Sequence, residues 1–554
     1  MRCFRPWIRS GCVAALVLTR LVWAQEPAAA PSAATAEPAA GPAAVEIVAQ
    51  PVDITPTVPA APIEAPAAPA PAAVSPAPDA KEAPPVIKAQ VAALTAGQLT
   101  GAFAADAYGT KTNADPEVVA RVRAAVAFDS GHHLGRLAAL IQLGGEFNVF
   151  HPTRPVAWKG DRLPDAAAAG FIPTEGWAGW QWTDKAQIRA GLMQSHWGLG
   201  LLANDGRPEQ YGDNWFVQPK IGDRVVRGAV VLTPFRGSES ALAGLVVSAA
   251  VDHVADDDIL LTGDTAEQVI GAVKLHSAVD RWVGVYYAGR QQRTGAGREL
   301  AVHAIDLAGD FAWTSGDLGL RLQGEAVMIV GSTTLGPSPE YNEHKVLQGG
   351  AVARLTAQLA DLRGQFDAAW LSGDTSLDDD TVSNFRADPN LQFGLILFPR
   401  LLAAQSGRAK VSASDPNLVG VPNLDLDRLA TGGAATSAIL AFPKIGWRFC
   451  ECLQVYGGAV LAFAPAPLQD PRASKTVGGG AAVNYVGKTP EGTTLGTELA
   501  LGARYRWRPP TMGYELVAGI EGALLLQGGA LAGMAEPIAA GRLTLALAPK
   551  TTNF

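Results

Sequence analysis

The feature that most limits the fold of this chain is a two-residue alternation of apolar and charged side chains, sustained over segments of roughly 9 to 14 residues. Between 317 and 330, Leu320 and Leu322 share one parity while Arg321 and Glu325 share the other. Successive side chains of a strand point to opposite faces, so this pattern predicts long strands with one apolar and one charged face. Other segments that fit this interpretation are 225–232, 245–252, 266–274, 282–290, 300–313, 351–359, 362–370, 391–398, 452–463, 495–508, 511–524 and 541–548.

Two kinds of fold produce such alternation: a soluble sandwich, and a barrel whose outer face meets lipid. Sandwich strands usually run about 5 to 6 residues, whereas strands that cross a bilayer at a tilt need about 9 to 11 and carry aromatic ends. Aromatic residues end several of the predicted strands: Trp313, Trp370, Tyr505 and Trp507. The connections alternate between tight turns, as at Asp361, and long loops, as at 373–390 and 400–436. An all-β, transmembrane antiparallel barrel of about 16 to 18 strands is therefore predicted, and a barrel of that size leaves an aqueous lumen.

The N-terminal region predicts export. A start rich in Arg, an apolar run at 11–18 and a small residue before Gln25 are typical of a signal peptide, which we place at 1–24. Residues 25–112 are rich in Ala and Pro and are expected to form a disordered periplasmic linker, with a short helix at 87–94. The barrel is expected to occupy 113–554, and Phe554 is a terminal aromatic of the kind that barrel-insertion machinery reads.

Composition narrows the functional classes. Charged residues make up 17% of the chain, below the roughly 25% typical of soluble domains, and the net charge of −8 argues against nucleic acid as a partner. The eight histidines form no recognised catalytic signature, so no enzyme activity, cofactor or metal site is predicted. Acidic runs at 256–258 and 378–380 are expected to be solvated loops. Cys450 and Cys452 stand two apart on an expected strand, where a bridge between them would be strained, so they receive no role.

Two sequence motifs carry a family resemblance. The first is the stretch 191–200 with Asn204-Asp205-Gly206 after it, and the second is 385–390 leading into 394–398. Their characteristic residues are Ser195, His196, Trp197, Arg386 and Asp388. Together these stretches resemble an uncharacterised family of large outer-membrane barrels that is itself similar to alginate-export porins. The resemblance implies an 18-stranded channel with an Arg-lined lumen, and a polysaccharide as a conceivable solute.

The charged face of the predicted strands provides the candidate lumen and selectivity residues. They are Arg321, Glu325, Arg354, Arg363, Asp367, Glu498, Arg504, Arg506, Arg508, Glu515 and Glu521. Three of the arginines, Arg504, Arg506 and Arg508, lie at alternate positions of one predicted strand, about 6.6 to 6.8 Å apart. We call them the arginine ladder, because an anion could move along them. Glu515 and Glu521 on the next strand either pair with this ladder, which would make it structural, or leave it with a net positive potential.

These patterns predict an outer-membrane channel for hydrophilic solutes, with exopolysaccharide export as one form of it. The alternative is a structural or adhesive barrel with a plugged lumen and partner-binding loops. In both cases the expected partners are outer-membrane lipid, lipopolysaccharide and the insertion machinery. The parity assigns Leu320, Leu355, Leu499 and Ile520 to the lipid face, and Arg321, Arg354, Arg504 and Glu521 to the lumen.

Overall fold

Nineteen strands occur in the part of the chain that the structure describes. The computed structural model describes residues 85–105, 112, 116–130, 135–150, 170–183, 185–206, 215–218, 220–278, 281–338, 340–407, 424–471, 474, 482–485, 487–509, 514–531 and 536–549. The strands are β1 (Val86–Thr100), β2 (Pro116–Asp129), β3 (Arg136–Phe150), β4 (Gly170–Thr183), β5 (Ala186–Met193), β6 (Arg224–Leu232), β7 (Leu245–Asp256), β8 (Thr265–Ala278), β9 (Arg281–Arg293), β10 (Glu299–Ser315), β11 (Leu318–Thr333), β12 (His344–Leu359), β13 (Leu362–Leu371), β14 (Thr381–Val382), β15 (Ala438–Arg448), β16 (Leu453–Phe463), β17 (Thr494–Trp507), β18 (Tyr514–Gln527) and β19 (Ile538–Pro549).

Eighteen of these strands form a closed antiparallel barrel. Each pairs with its neighbours in chain order, and β1 pairs with both β2 and β19, so the described sheet has no free edge. The two-residue β14 lies outside the wall, because it pairs parallel with the start of β12 while β13 pairs directly with β15. The fold class and the strand number predicted from the alternation are confirmed.

The first strand corrects two expectations. Residues 87–94, expected to form a short helix, belong to β1, because Ala93 pairs with both Val122 of β2 and Leu547 of β19. Without β1, the two strands that it joins would expose their backbone donors and acceptors along an open edge. The barrel therefore begins within the stretch 25–112 that composition assigned to the linker. The predicted signal peptide at 1–24, most of the predicted linker and Phe554 lie outside the described residues.

The outer face of the wall is apolar. Leu355, Leu499 and Ile520 are exposed there, whereas Arg354 and Arg504 on the opposite parity point into the barrel and are largely buried. The exposed outer side chains include aromatic residues near both strand ends: Trp180, Trp182, Trp313, Trp447, Tyr505 and Trp507 near one end, and Trp370 and Phe463 near the other. A closed barrel satisfies its backbone hydrogen bonds within the wall, which is what lipid requires of a spanning sheet. Among the described residues, no helix has the length and apolar character needed to cross a membrane.

The two ends of the barrel differ in the length of their connections. At the end where β1 begins, successive strands are joined by short turns, such as 316–317 and 360–361. At the opposite end the connections include the much longer 194–223 and 372–437. We call these the short-turn end and the long-loop end.

No role was predicted for Cys450 and Cys452, and in the structure they form a disulfide. They lie in the turn between β15 and β16, not on a strand as predicted. The bend of this turn brings their Cα atoms to 5.2 Å, within the range that a disulfide spans.

The hydrophobic core lies inside the barrel. Parts of two long connections fold back into it, and we call them the first inward segment (194–206, 215–218 and 220–223) and the second inward segment (383–407 and 424–437). Leu201 and Phe216 of the first segment and Phe393 of the second are fully buried in one cluster with inward side chains of the wall, such as Val327 and Phe442. Residues 391–398, predicted to be a strand, belong instead to the second inward segment and continue into a π-helical turn at Leu397–Leu402.

Candidate functional site: the constriction inside the barrel

The first inward segment leaves the wall at one of the two family motifs. Trp197 anchors it, because its ring packs against Trp282 and Tyr286 of β9 at centroid distances of 5.7 and 5.5 Å. Ser195 is half-buried beside it, and His196 Nδ1 lies 3.5 Å from an Asp205 carboxylate oxygen. These motif residues therefore fix where the segment turns into the barrel.

The second motif joins the two inward segments to each other. The backbone N–H of Asn204 donates to the Asp388 carboxylate at 3.1 Å, and the backbone N–H of Asp388 donates to the Leu201 carbonyl at 2.9 Å. The backbone N–H of Lys220 donates to Asn390 Oδ1 at 2.6 Å. Two further bonds link Gln218 with Gln392, each at 2.9 Å. Motifs that lie almost two hundred residues apart in the sequence thus meet as one hydrogen-bonded unit.

Arg386 acts within the second segment. Its guanidinium donates to the Ala430 carbonyl at 2.9 Å, and its backbone forms an isolated bridge with Thr436. The side chain therefore ties the two described parts of this segment together.

Two wall glutamates hold the inward segments. Glu325 of β11 accepts backbone N–H bonds from residues 199, 201 and 202, and Glu498 of β17 accepts them from residues 395, 396 and 397. Both side chains are almost fully buried. Both were predicted as lumen residues; they point into the barrel, where they satisfy backbone N–H groups of the inward segments.

Other candidate lumen residues form ion pairs that join neighbouring strands on the inner face of the wall. Asp367 accepts hydrogen bonds from Arg354 Nε at 2.8 Å and Lys444 Nζ at 2.7 Å, which ties β12, β13 and β15 together. Arg321 of β11 makes a bidentate pair with Asp310 of β10, at 2.8 and 2.6 Å. Lys444 was missed because Pro443 and Gly446 interrupt the alternation around it.

The arginine ladder pairs with the carboxylates of the next strand. Arg508 Nε lies 2.6 Å from Glu515, and Arg506 Nε lies 3.8 Å from the same side chain. Glu521 is 3.4 Å from Arg504 and also accepts a bond from Arg542 Nε at 2.8 Å. Glu515 therefore faces two arginines of the ladder, and Glu521 faces Arg504 and Arg542. Arg363 stands apart from the ladder, 5.4 Å from the centre of the Trp215 ring.

A polar pocket opens between the inward segments and the wall formed by β1, β2 and β19. Its lining includes Gln98, Glu117, Arg121, Lys220, Arg400 and Arg542. Arg400 Nη1 lies 2.6 Å from the Glu117 carboxylate, and Lys220 Nζ donates to the Gly432 carbonyl at 3.1 Å. The cations in this lining outnumber the carboxylates. Sequence reasoning missed the pocket because it placed β1 in the linker, predicted a strand at 391–398 and treated 400–436 as a loop.

A network of ion pairs, which we call the loop clasp, joins connections at the long-loop end. Arg428 of the second inward segment donates to both oxygens of Asp264 at 2.7 and 3.1 Å, and Arg298 donates to Asp425 at 2.8 Å. Burial raises the pKa of Asp264, but the hydrogen bonds and charge of Arg428 outweigh burial, so that pKa lies below its ordinary value. Arg298 likewise outweighs burial at Asp425 and holds the pKa of that carboxyl below its ordinary value.

The acidic runs that were expected to be solvated also form ion pairs. Asp256 binds Arg224 at 3.0 Å, Asp257 binds Arg290, and Lys345 donates to Asp380 at 2.8 Å. These carboxylates therefore form further ion pairs at the long-loop end, where the loop clasp also lies.

The structure was compared with known proteins and with solved structures. No protein-family model and no curated protein matches this chain. OccK2 (OpdF) from Pseudomonas aeruginosa, solved in complex with glucuronate, is 10% identical with a TM-score of 0.45, and the match covers 84% of this chain and 98% of that chain. OccAB1 from Acinetobacter baumannii is 10% identical with a TM-score of 0.46, covering 83% and 96%. The outer-membrane protein OpdK from P. aeruginosa is 12% identical with a TM-score of 0.41, covering 83% and 98%. The likeness concerns the fold alone, and a similarity to alginate-export porins is not shown.

Proposed function

We propose that this protein is a channel of the bacterial outer membrane that passes small hydrophilic solutes through a constricted lumen. The observation that carries the proposal is the polar pocket between the inward segments and the wall, inside an 18-stranded barrel with an apolar outer face. Barrels of this size are wide enough to hold water inside. Short turns face the periplasm in such barrels, so the short-turn end, where β1 begins, is assigned to the periplasmic side.

The charge of the lumen supports a weak preference for anions. Arginines follow one another along this part of the inner face, where Glu521 faces both Arg504 and Arg542, and Glu515 faces both Arg506 and Arg508. Arg and Lys side chains also predominate in the polar pocket. We do not extend the proposal to a polysaccharide, because the apolar core formed by the inward segments occupies part of the lumen that a polymer would need.

Reversal potentials across a salt gradient in planar bilayers test this proposal. The native protein should conduct with a modest anion preference, and Arg504→Gln/Arg506→Gln/Arg508→Gln should lose that preference because the excess positive charge is removed. Arg293→Gln is the matched control, since Arg293 is an exposed partner of Glu299 on the outer face. A native channel that prefers cations, or a triple variant with unchanged reversal potential, would show that the ladder does not select the solute.

A plugged structural or adhesive barrel is the second candidate. The observation that favours it is the dense packing of the inward segments against the wall. The Tyr456 ring stacks on Trp215 with 5.3 Å between the ring centres and meets Phe216 edge-on at 5.1 Å, and all three side chains are almost fully buried. A folded preparation that inserts into bilayers but passes no current would favour this candidate over the channel.

A further inference from the structure

The two inward segments are held by the same local arrangement at two separate places in the wall. At Glu325, one carboxylate oxygen accepts from the backbone N–H of Leu201 at 2.9 Å and of Leu202 at 3.3 Å, while the other accepts from Leu199. At Glu498, one oxygen accepts from Ile396 and Leu397 at 3.1 and 2.9 Å, while the other accepts from Leu395. Both oxygens of each side chain therefore accept from closely spaced backbone amides of one segment.

Glycine permits the close approach at both places. Gly198 has φ of 56° and Gly394 has φ of 81°, a backbone region that other residues rarely adopt. A Cβ at Gly394 would stand 2.7 Å from Glu498 Oε1, and a Cβ at Gly198 would run into the Glu325 carboxylate. Backbone N–H groups that converge next to such a glycine form a concave anion-binding nest, and here a carboxylate of the wall fills it.

The chemistry of these contacts requires two acceptor oxygens. Burying a carboxylate in an apolar core is costly unless its oxygens are satisfied, so apolar packing alone gives no reason for an acid at either position. A glutamine of the same shape would accept through one oxygen and turn an NH₂ group towards amides that also donate. Each glutamate is therefore matched to the backbone of its segment through both oxygens.

From this geometry we infer that Glu325 and Glu498 are positioning residues that set the aperture of the constriction, each by latching one inward segment to the wall. The inference rests on the proposed channel function for its effect on conduction, but the latching itself does not. Because β11 and β17 are separated by four wall strands, each glutamate acts mainly on its own segment. The bonds between Asp388, Asn204 and Leu201 link the two segments to each other, so a smaller effect should reach the other segment.

Hydrogen exchange and conductance of the full chain in lipid nanodiscs and planar bilayers test the inference. Glu325→Gln should speed the exchange of the amides of 199–202 by at least about tenfold, since hydrogen bonds to charged groups stabilise to that extent, with a smaller change at 395–397. Glu498→Gln should give the reverse pattern. Single-channel conductance should rise in both variants, because a released segment no longer narrows the lumen.

The control is Asp310→Asn, a buried carboxylate on β10 that binds Arg321 and Gln323 of the wall. It should leave the exchange of both inward segments unchanged. If Glu325→Gln does not fold, Gly198→Ala disrupts the same contact from the segment side and should speed exchange at 199–202.

The outcomes separate this inference from the proposed function. Unchanged exchange at both segments in folded Gln variants would overturn the latches. Faster exchange with unchanged conductance would overturn their role in setting the aperture. A native protein that passes no current, together with faster exchange in the variants, would support the latches and refute the channel.

Discussion

A single arginine placed halfway along the outer face of β18 should distinguish a membrane-spanning wall from a soluble one. Ile520 lies at the centre of Tyr514–Gln527 and is 58% exposed, and Leu526 lies on the same face six residues closer to the long-loop end and is 44% exposed. At about 3.3 Å per residue and a tilt of about 40°, six residues carry Leu526 roughly 15 Å along the membrane normal. That distance exceeds half of an apolar band about 25 Å tall, so Leu526 reaches the interface while Ile520 stays at mid-membrane.

The difference in membrane depth between Ile520 and Leu526 determines how much folding free energy an arginine should cost at each position. Ile520→Arg should cost about 2 to 4 kcal/mol of folding free energy, whereas Leu526→Arg should cost about 0 to 1 kcal/mol. Every 1.4 kcal/mol is a factor of ten, so the two variants should differ by about one to three factors of ten in their folding equilibrium constant. The assay is a urea titration of the protein in phospholipid vesicles, followed by intrinsic tryptophan fluorescence and by gel mobility of unheated samples.

Equal stability of the two arginine variants would refute the reasoning. In that case the outer face of β18 would not be in contact with hydrocarbon, and its exposed apolar side chains would need another cover. If only Leu526→Arg caused a large loss of folding free energy, the apolar band would be displaced towards the long-loop end.

Two further predictions follow from buried and clasped charges. Asp367→Asn should destabilise the barrel by about 3 to 5 kcal/mol in urea titrations, because it leaves Arg354 and Lys444 without their shared carboxylate. The double variant Asp367→Asn/Lys444→Met should recover part of the lost folding free energy. No recovery would contradict the pairing of Asp367 with Lys444. The low pKa values of Asp264 and Asp425 mean that their contribution to stability is present above the ordinary carboxyl value of 3.8 and is lost as the pH falls through their folded-state values. Acidifying only the long-loop side of a bilayer stepwise from neutral pH to below the ordinary carboxyl value of 3.8 should therefore increase current fluctuations progressively, and Asp264→Asn should show them already at neutral pH. Equal fluctuations on acidifying either side would count against the loop clasp as their source.

The strands that could be predicted are those in which charge and apolarity alternate strongly. In β11, Arg321 and Glu325 alternate with large aliphatic side chains. The charged side chains lie on the inner face of the wall and the aliphatic ones on the outer face. In β1 much of the alternation is carried by alanine, which is compatible with either face and with a linker, so its strand character depends on partners at Val122 and Leu547. Such long-range pairing leaves little trace in local sequence.

The inward segments mark the other limit of sequence reasoning. The run Leu395-Ile396-Leu397-Phe398 has the apolar character of a buried strand, and nothing local indicates that it packs inside a barrel whose inner parity is otherwise polar. Glu498 was predicted to face the lumen, but its partners are backbone amides about one hundred residues away. A backbone donor is present at nearly every residue, so the sequence could not single these amides out.

The pairing of β1 with β19 also sets the order in which the wall can be completed. Many neighbouring strands are close in the chain and pair across turns as short as 316–317. Ala93 of β1, in contrast, pairs with Leu547 of β19, so the strands between them have to be in place first. Loop-closure entropy rises by only about 0.6 kcal/mol per doubling of length, so the delay is kinetic more than energetic. Until that last join forms, β1 and β19 each present an unpaired edge to whatever strand is nearest, including one from another molecule. The seam between the first and last strands is therefore the point at which assembly of this protein is most exposed to error.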